Sequence, residues 1–267
     1  MSHSPGKLLI DAGNQRAKWR FHSEDEVLQG AFNHKELDIS GLAAEFRSLS
    51  GLKEIWLSNV SGRNFYARMQ AYTRHLKGVN LVNLESQDQQ CGIQNCYDPP
   101  GKLGVDRWLA LIGARAQFLS VWNSSPPKNI IVVDAGTAVT VDFLHSSGLF
   151  KGGVIFPGLH LMQTSLDKDT QNISLSLNTR NQSNQYMPQV AQNTANAVSA
   201  GAYHAVKGGI QSVITQILAS KPGETTIALT GGDAWIGEYL VGAPVKSFEN
   251  LVLDGMETVS AAGYQNQ

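Results

Sequence analysis

The chain has almost no cysteine, no excess of charge and no long apolar run, and each shortage removes a class of protein. Cys91 and Cys96 are its only cysteines. With no histidine cluster beside them a zinc site is not expected and a disulfide framework is ruled out, so both are read as free thiols. The 21 basic and 22 acidic residues give a net charge of −1, with no block of either sign. That leaves no electrostatic footprint for nucleic acid or an anionic membrane. No stretch approaches the ~20 apolar residues of a membrane span, and the opening MSHSPGK lacks the apolar core of a signal peptide. A cytoplasmic protein acting on small molecules is the expectation. Walker A and G-x-G-x-x-G sequences are absent too, which weakens the P-loop and dinucleotide-binding classes.

What is present begins with LLIDAGNQRAK, Leu8 to Lys18. Apolar residues run into Asp11-Ala12-Gly13-Asn14, and Ala17, Trp19 and Phe21 then alternate with Lys18 and Arg20, a pattern of strand, tight turn and strand. Gly13 and Asn14 tolerate positive φ in a two-residue turn, which would point backbone N–H groups outward at an anion such as phosphate. The pattern returns at Ile130 to Thr140, IIVVDAGTAVT, with Asp134-Ala135-Gly136 at the turn. Repetition with matched strands on both sides indicates an internal duplication. Two strand-ending carboxylates backed by small residues suit a nucleotide held between two similar lobes; a pair of ordinary hairpins is the plainer reading.

The 267 residues are enough for two domains. Apolar spacing predicts β-β-β-α-β-α-β for the first half, with Asp11 and Asn59 at the carboxyl ends of strands, where open α/β sheets place ligands. Ser86 to Gly101 reads as a long polar loop, and LGVDRWLALIGARAQFL after it as a helix with Asp106 in its first turn. An acid there complements the helix dipole, and on spacing alone that is the favoured reading of Asp106 over chemistry. The Ser/Pro joint NSSPPK, Asn123 to Lys128, sets the expected boundary between lobes 1–124 and 125–267. In the second half the reading is three strands, a helix to about Asp169, a loop over Thr170 to Pro188, and one long or two abutting helices over Ala191 to Leu218. A strand over Thr225 to Thr230, the TGGDA turn and a final helix from about Asn250 follow. The TGGDA glycines would let backbone approach something flat or anionic, or simply connect strand to helix.

Taken in order, the two Asp-Ala-Gly hairpins, the GVDR segment and the TGGDA turn make the sequence closely resemble the type III pantothenate kinases of the acetate and sugar kinase, Hsc70 and actin superfamily. The resemblance runs from Leu8 to about Gly263. It implies an α/β fold of two ribonuclease H-like lobes, each a duplicated β-β-β-α-β-α-β unit, with a nucleotide cleft between them. The implied activity is transfer of the γ-phosphoryl group of ATP to pantothenate, giving 4′-phosphopantothenate in the first step of coenzyme A biosynthesis. In YDPPGKLGVDR, Asp106 matches the general base, and Tyr97, Gly104, Val105 and Arg107 match the substrate site, with Thr194 a further substrate contact. Asp11, Ala12, Gly13, Asn14, Gln15, Arg16, Ala17 and Lys18 match the ATP-binding motif. Lys18 would meet phosphate oxygens, and Asp11 would face Mg²⁺ and its waters. Thr137 matches a nucleotide contact, and Asp134 the site of a monovalent cation, K⁺ or NH₄⁺. A homodimer is implied.

One position departs from the family pattern. Gln15 stands where a Thr or Ser hydroxyl usually follows the Asn, and a carboxamide donates through a longer, more flexible arm. Arg16 and Arg20 share the strand with Lys18 without an assigned role and are read as a solvated face. Two alternatives stand beside the kinase: a superfamily member acting on a sugar or a carboxylate, which should not share Tyr97 with Gly104 to Arg107, and a regulator of the Bvg accessory factor kind that binds nucleotide without turnover.

Overall fold

The structure is a computed structural model that describes residues 6–35, 37–122, 128–169, 190–220 and 223–264. Its elements follow the alternation read from the sequence. Gly6–Ala12 (β1), Ala17–His22 (β2) and Val27–Phe32 (β3) precede Ile39–Glu45 (α1), Leu52–Asn59 (β4), Arg63–Arg74 (α2) and Asn80–Asn83 (β5). The predicted polar loop contains a miniature hairpin, Gln89–Gln90 (β6) with Ile93–Gln94 (β7), and leads into Val105–Trp122 (α3). Asn129–Ala135 (β8), Ala138–Leu144 (β9) and Phe150–Pro157 (β10) precede Leu159–Asp169 (α4) and Thr194–Ser220 (α5). Thr225–Thr230 (β11), a 3₁₀ turn at Ala234–Tyr239, Val245–Ser247 (β12) and Leu251–Ala262 (α6) complete the chain. The loop expected over Thr170 to Pro188 lies outside the described residues.

Two compact units result, one from the described residues of 1–123 and 251–267, the other from those of 124–250. Each contains a five-stranded mixed sheet, β3-β2-β1-β4-β5 in the first and β10-β9-β8-β11-β12 in the second. The identical strand order is the structural form of the duplicated Asp-Ala-Gly pattern. The copies differ where a 3₁₀ turn, not an α-helix, joins β11 to β12, and β12 itself is only three residues long, too short to leave an alternating signature.

In the first unit β1 is buried on both faces, with Leu8, Leu9 and Ile10 all inaccessible, as a central strand between covering helices must be. Leu8 and Ile10 join Phe21, Ile55, Leu57, Phe65 and Met69 in one core. Antiparallel pairing sets Asp11 opposite Lys18, and parallel pairing sets it beside Ser58. In the second unit β8 and β9 place Ile131, Val133, Val139 and Val141 against Tyr203, Val206, Ile210 and Ile214 of α5, which is one continuous helix.

The C-terminal helix departs from the expected boundary at 124/125, because α6 packs in the first unit. Its partner is α3, and glycines make the fit possible: a Cβ at Gly113 would fall 2.1 Å from Leu251 O, and one at Gly255 2.0 Å from Leu109 O. The two backbones touch where any side chain would separate them. Arg20 reinforces the placement, its Nη1 reaching Asp254 Oδ1 at 2.9 Å and Glu257 Oε1 at 2.7 Å. It is therefore not part of a solvated face. Two carboxylates hold its guanidinium, raising its pKa against the desolvation that works the other way. Arg16 is exposed, as read from the sequence.

Candidate active site

The first Asp-Ala-Gly segment forms the predicted hairpin by a different turn. Neither Gly13 nor Asn14 takes positive φ; among the described residues Cys91 is the only non-glycine that does. Gly13 N–H donates to Arg16 O at 3.1 Å, so the loop closes within ordinary backbone angles. Gly13 O accepts from His34 Nε2 at 2.7 Å. Asn14, Gln15 and Arg16 are exposed at the tip, while Ala12 and Ala17 are buried at its base. Asp11 stands just behind, half-buried, and accepts from Ser58 Oγ at 3.2 Å. Ser58 is fully buried. Asn59, next to it at the end of β4, holds the following turn by accepting from Ser61 N and Oγ. Lys18 is half-buried on β2, across from Asp11.

The start of α3 in the same unit brings together four of the predicted substrate residues. Gly104 O accepts the Trp108 N–H at 3.0 Å and so opens the helix. A Cβ at Gly104 would lie 2.6 Å from Asp106 Oδ1, so only glycine leaves that oxygen uncrowded. Asp106 accepts the Arg107 backbone N–H at 2.8 Å. Burial nevertheless pushes the Asp106 carboxyl above the usual carboxylate range, outweighing the Arg107 N–H and charge that favour the ionised form. Arg107 is buried at 7% exposure; its Nη1 donates to Tyr97 OH at 3.0 Å and its guanidinium lies 5.6 Å from the centre of the Tyr97 ring. Tyr97 N–H is held by Asn95 Oδ1 at 3.0 Å, and Trp108 Nε1 ties α3 to Gln90 of the small hairpin at 2.9 Å. Val105 is buried at the first position of the helix. A desolvated carboxylate beside a positioned guanidinium and phenol is equipped to take a proton from a hydroxyl.

The second unit repeats the strand-end carboxylate in different surroundings. Asp134, half-buried, lies beside the TGGDA turn, and Gly231 there adopts φ 101°. A Cβ at Gly231 would fall 2.6 Å from Asp134 Oδ1 and 2.3 Å from Ala135 O, so only glycine fits against these two oxygens. Asp233 N–H donates to Ala135 O at 2.8 Å and Gly158 N–H to Thr137 O at 3.0 Å, binding both flanking turns to the hairpin. Burial raises the Asp233 carboxyl against a hydrogen bond with Trp235 and the charge of His160. Thr194 is exposed at the first position of α5, away from this turn in sequence and on a different element.

Ser58 and His34 had no assigned place in the sequence reading, and Arg20 was placed on a solvated face. Ser58 and Asn59 are the last two residues of β4, a polar pair at a strand end that hints at a site; nothing marks His34, or Arg20 as a partner of the last helix. Among the described residues no group of three His, Cys, Asp or Glu side chains is arranged to hold a metal ion, and no helix is long and apolar enough to cross a membrane.

The chain is similar to known proteins over nearly its whole length. A model of the type III pantothenate kinase family matches residues 7–216. A type III pantothenate kinase from Aromatoleum aromaticum is 37% identical over 256 residues, covering 95% of this chain and 97% of its own. Another from Chromobacterium violaceum is 35% identical over 257 residues, covering 95% and 99%. Two solved structures share the fold. One, from Sinorhizobium meliloti and described as a 2-dehydro-3-deoxygalactonokinase, has a TM-score of 0.57 at 14% identity, covering 98% of each chain. The other, a Baf family protein from Campylobacter jejuni described as a transcriptional activator, has a TM-score of 0.53 at 20% identity, covering 96% of this chain and 98% of its own. With the family model spanning most of its length and relatives matching nearly all of it, the chain belongs to the type III pantothenate kinase family.

Proposed function

We propose that this chain phosphorylates pantothenate with ATP to give 4′-phosphopantothenate, the first step of coenzyme A biosynthesis, with Asp106 as general base. The observation that carries the reading is the group at the start of α3, where Asp106 is desolvated next to Arg107, whose guanidinium holds Tyr97. In this reading Arg107, Tyr97, Gly104 and Val105 hold pantothenate with its primary hydroxyl at Asp106, and Thr194 adds a further substrate contact. The carboxylate accepts the hydroxyl proton as the oxygen attacks the γ-phosphorus. Elevation of the Asp106 pKa makes it a stronger base than a free carboxylate. Asp11, Ala12, Gly13, Asn14, Gln15, Arg16, Ala17 and Lys18 form the phosphate turn, in which backbone N–H groups and the Lys18 ammonium neutralise negative charge.

Divalent and monovalent cations belong to the same reading. Mg²⁺ needs few protein ligands when it arrives with phosphates, and the single carboxylate of Asp11, oriented by Ser58, fits that requirement. When bound, Mg²⁺ supplies charge neutralisation on the transferring phosphoryl group. K⁺ or NH₄⁺ needs several oxygens, and Asp134 Oδ1 with Ala135 O, which a side chain at Gly231 would crowd, supply two of them. Thr137, on the loop beside Asp134, contacts the nucleotide. A homodimer is part of the proposal as well, supported by exposed apolar side chains on the edge strand β10 (Val154, Ile155) and on α4 (Leu161, Leu166) that a second copy would cover.

A coupled ADP-release assay with Mg·ATP, with and without pantothenate, in potassium, ammonium and sodium buffers tests the assignment. Pantothenate-dependent turnover that falls in sodium is expected. Turnover indifferent to pantothenate in all three buffers would overturn it and direct attention to another acceptor.

A further inference from the structure

The tip of the first hairpin is held from behind by a buried histidine. His34, in the turn after β3, is 3% exposed, and its Nε2 lies 2.7 Å from Gly13 O. A carbonyl oxygen only accepts, so Nε2 carries the proton. Nδ1 is buried and has no hydrogen-bond partner among the described residues, which leaves the ring one polar contact, the one to Gly13. Its own backbone is pinned: Arg68 Nη1 donates to His34 O at 2.8 Å and also to Leu37 O. The imidazole centre lies 5.0 Å from that of the Phe65 ring, with the Arg68 guanidinium 5.5 Å from the same ring.

The consequence lies in the peptide unit between Gly13 and Asn14. Its C=O and N–H belong to one planar trans amide and point in opposite directions. Drawing the carbonyl inward to His34 therefore turns the Asn14 N–H outward, where Asn14, Gln15 and Arg16 are exposed. Gly13 has no Cβ to resist rotation of this unit, so local sterics alone do not hold it. A rotated unit would present a carbonyl oxygen where an anion needs a donor.

We propose that His34 is a positioning residue for the phosphate turn: its Nε2–H holds the Gly13–Asn14 peptide so that the Asn14 N–H faces a phosphate oxygen of the nucleotide. The proposal rests on the reading of Asp11 to Lys18 as the phosphate site.

The test uses the full-length ¹⁵N-labelled protein, its His34→Leu and His34→Gln variants, Mg·ADP as the titrated probe, and steady-state kinetics. In the wild type the Asn14 amide shifts with Mg·ADP, and the imidazole spectrum places the His34 proton on Nε2. His34→Leu raises the KM for ATP and the Kd for Mg·ADP by about tenfold or more, the value of a donor to a charged group. It leaves the KM for pantothenate nearly unchanged and removes the Asn14 response. His34→Gln, whose side-chain amide can donate to the same carbonyl, recovers most of the affinity. If the wild-type Asn14 amide ignores Mg·ADP, the phosphate-turn reading fails and takes this inference with it. If it responds equally in the wild type and His34→Leu, with unchanged ATP KM, the turn stands and the role of His34 is refuted. Equal loss of both KM values in His34→Leu, unrepaired by Gln, would make the histidine a packing residue and also refute it.

Discussion

Replacing Asp106 with Asn separates the chemistry of this carboxylate from its place in the fold. The two side chains are nearly isosteric, and the Asn carbonyl keeps the acceptor for the Arg107 N–H, now at 2.8 Å. What is lost is the basic oxygen. A general base contributes roughly 10²–10⁴-fold, about 3–5 kcal/mol of barrier, so kcat should fall by that factor while nucleotide binding is retained. Stability should move the other way. Burial raises the Asp106 carboxyl, which means that its ionised form is disfavoured in the folded state relative to the unfolded chain. The resulting cost is full above the folded pKa and disappears as pH falls below the ordinary carboxylate value. Loss of an acid near a helix N-terminus works against this gain, but the raised pKa says that desolvation prevails. Asp106→Asn should therefore melt at a higher temperature than the wild type near neutral pH, with the advantage shrinking in acid. Asp106→Ala, which also strands the Arg107 N–H, should give back about 1 kcal/mol of any gain. Thermal melts across pH, paired with the ADP-release assay, decide the matter. Near-normal turnover in Asp106→Asn would place the base elsewhere, and a large drop in its melting temperature would make Asp106 a structural residue.

Three further substitutions test neighbouring parts of the argument. Gln15→Thr, at the exposed tip of the hairpin, restores a short hydroxyl donor and should lower the KM for ATP; an unchanged or higher value would show that the carboxamide is not the weaker ligand. Gly255→Ala places a Cβ 2.0 Å from Leu109 O and must separate α6 from α3, costing about 1–3 kcal/mol in urea unfolding; a wild-type midpoint would contradict the close contact. Arg20→Met leaves Asp254 and Glu257 without the guanidinium between them, at a cost of about 2 kcal/mol, because only 15% of the Arg20 side chain is exposed. Unaltered stability there would return Arg20 to the solvated face assigned from sequence.

Much of this protein is legible without coordinates because its signals are local. Apolar runs ending in Asp11 and Asp134, each followed by an alternating strand, define both hairpins, and their repetition announces two sheets of one strand order. The segment from Tyr97 to Arg107 is contiguous enough for its residues to be named as a group, although resemblance, not spacing, singled out Asp106. Tertiary structure decided what depends on residues distant in sequence. The membership of α6 in the first unit follows from Gly113 meeting Leu251 and Arg20 meeting Asp254, contacts that leave no periodic trace. Elevation of the Asp106 carboxyl comes from the desolvation that folding imposes. The turn at Gly13 forms without the positive φ its residues permit, and its carbonyl is taken by His34, 21 positions away. Local preference determines which strand or helix a segment makes; the orientation of one peptide and the proton affinity of one carboxylate are set by whatever the fold packs against them.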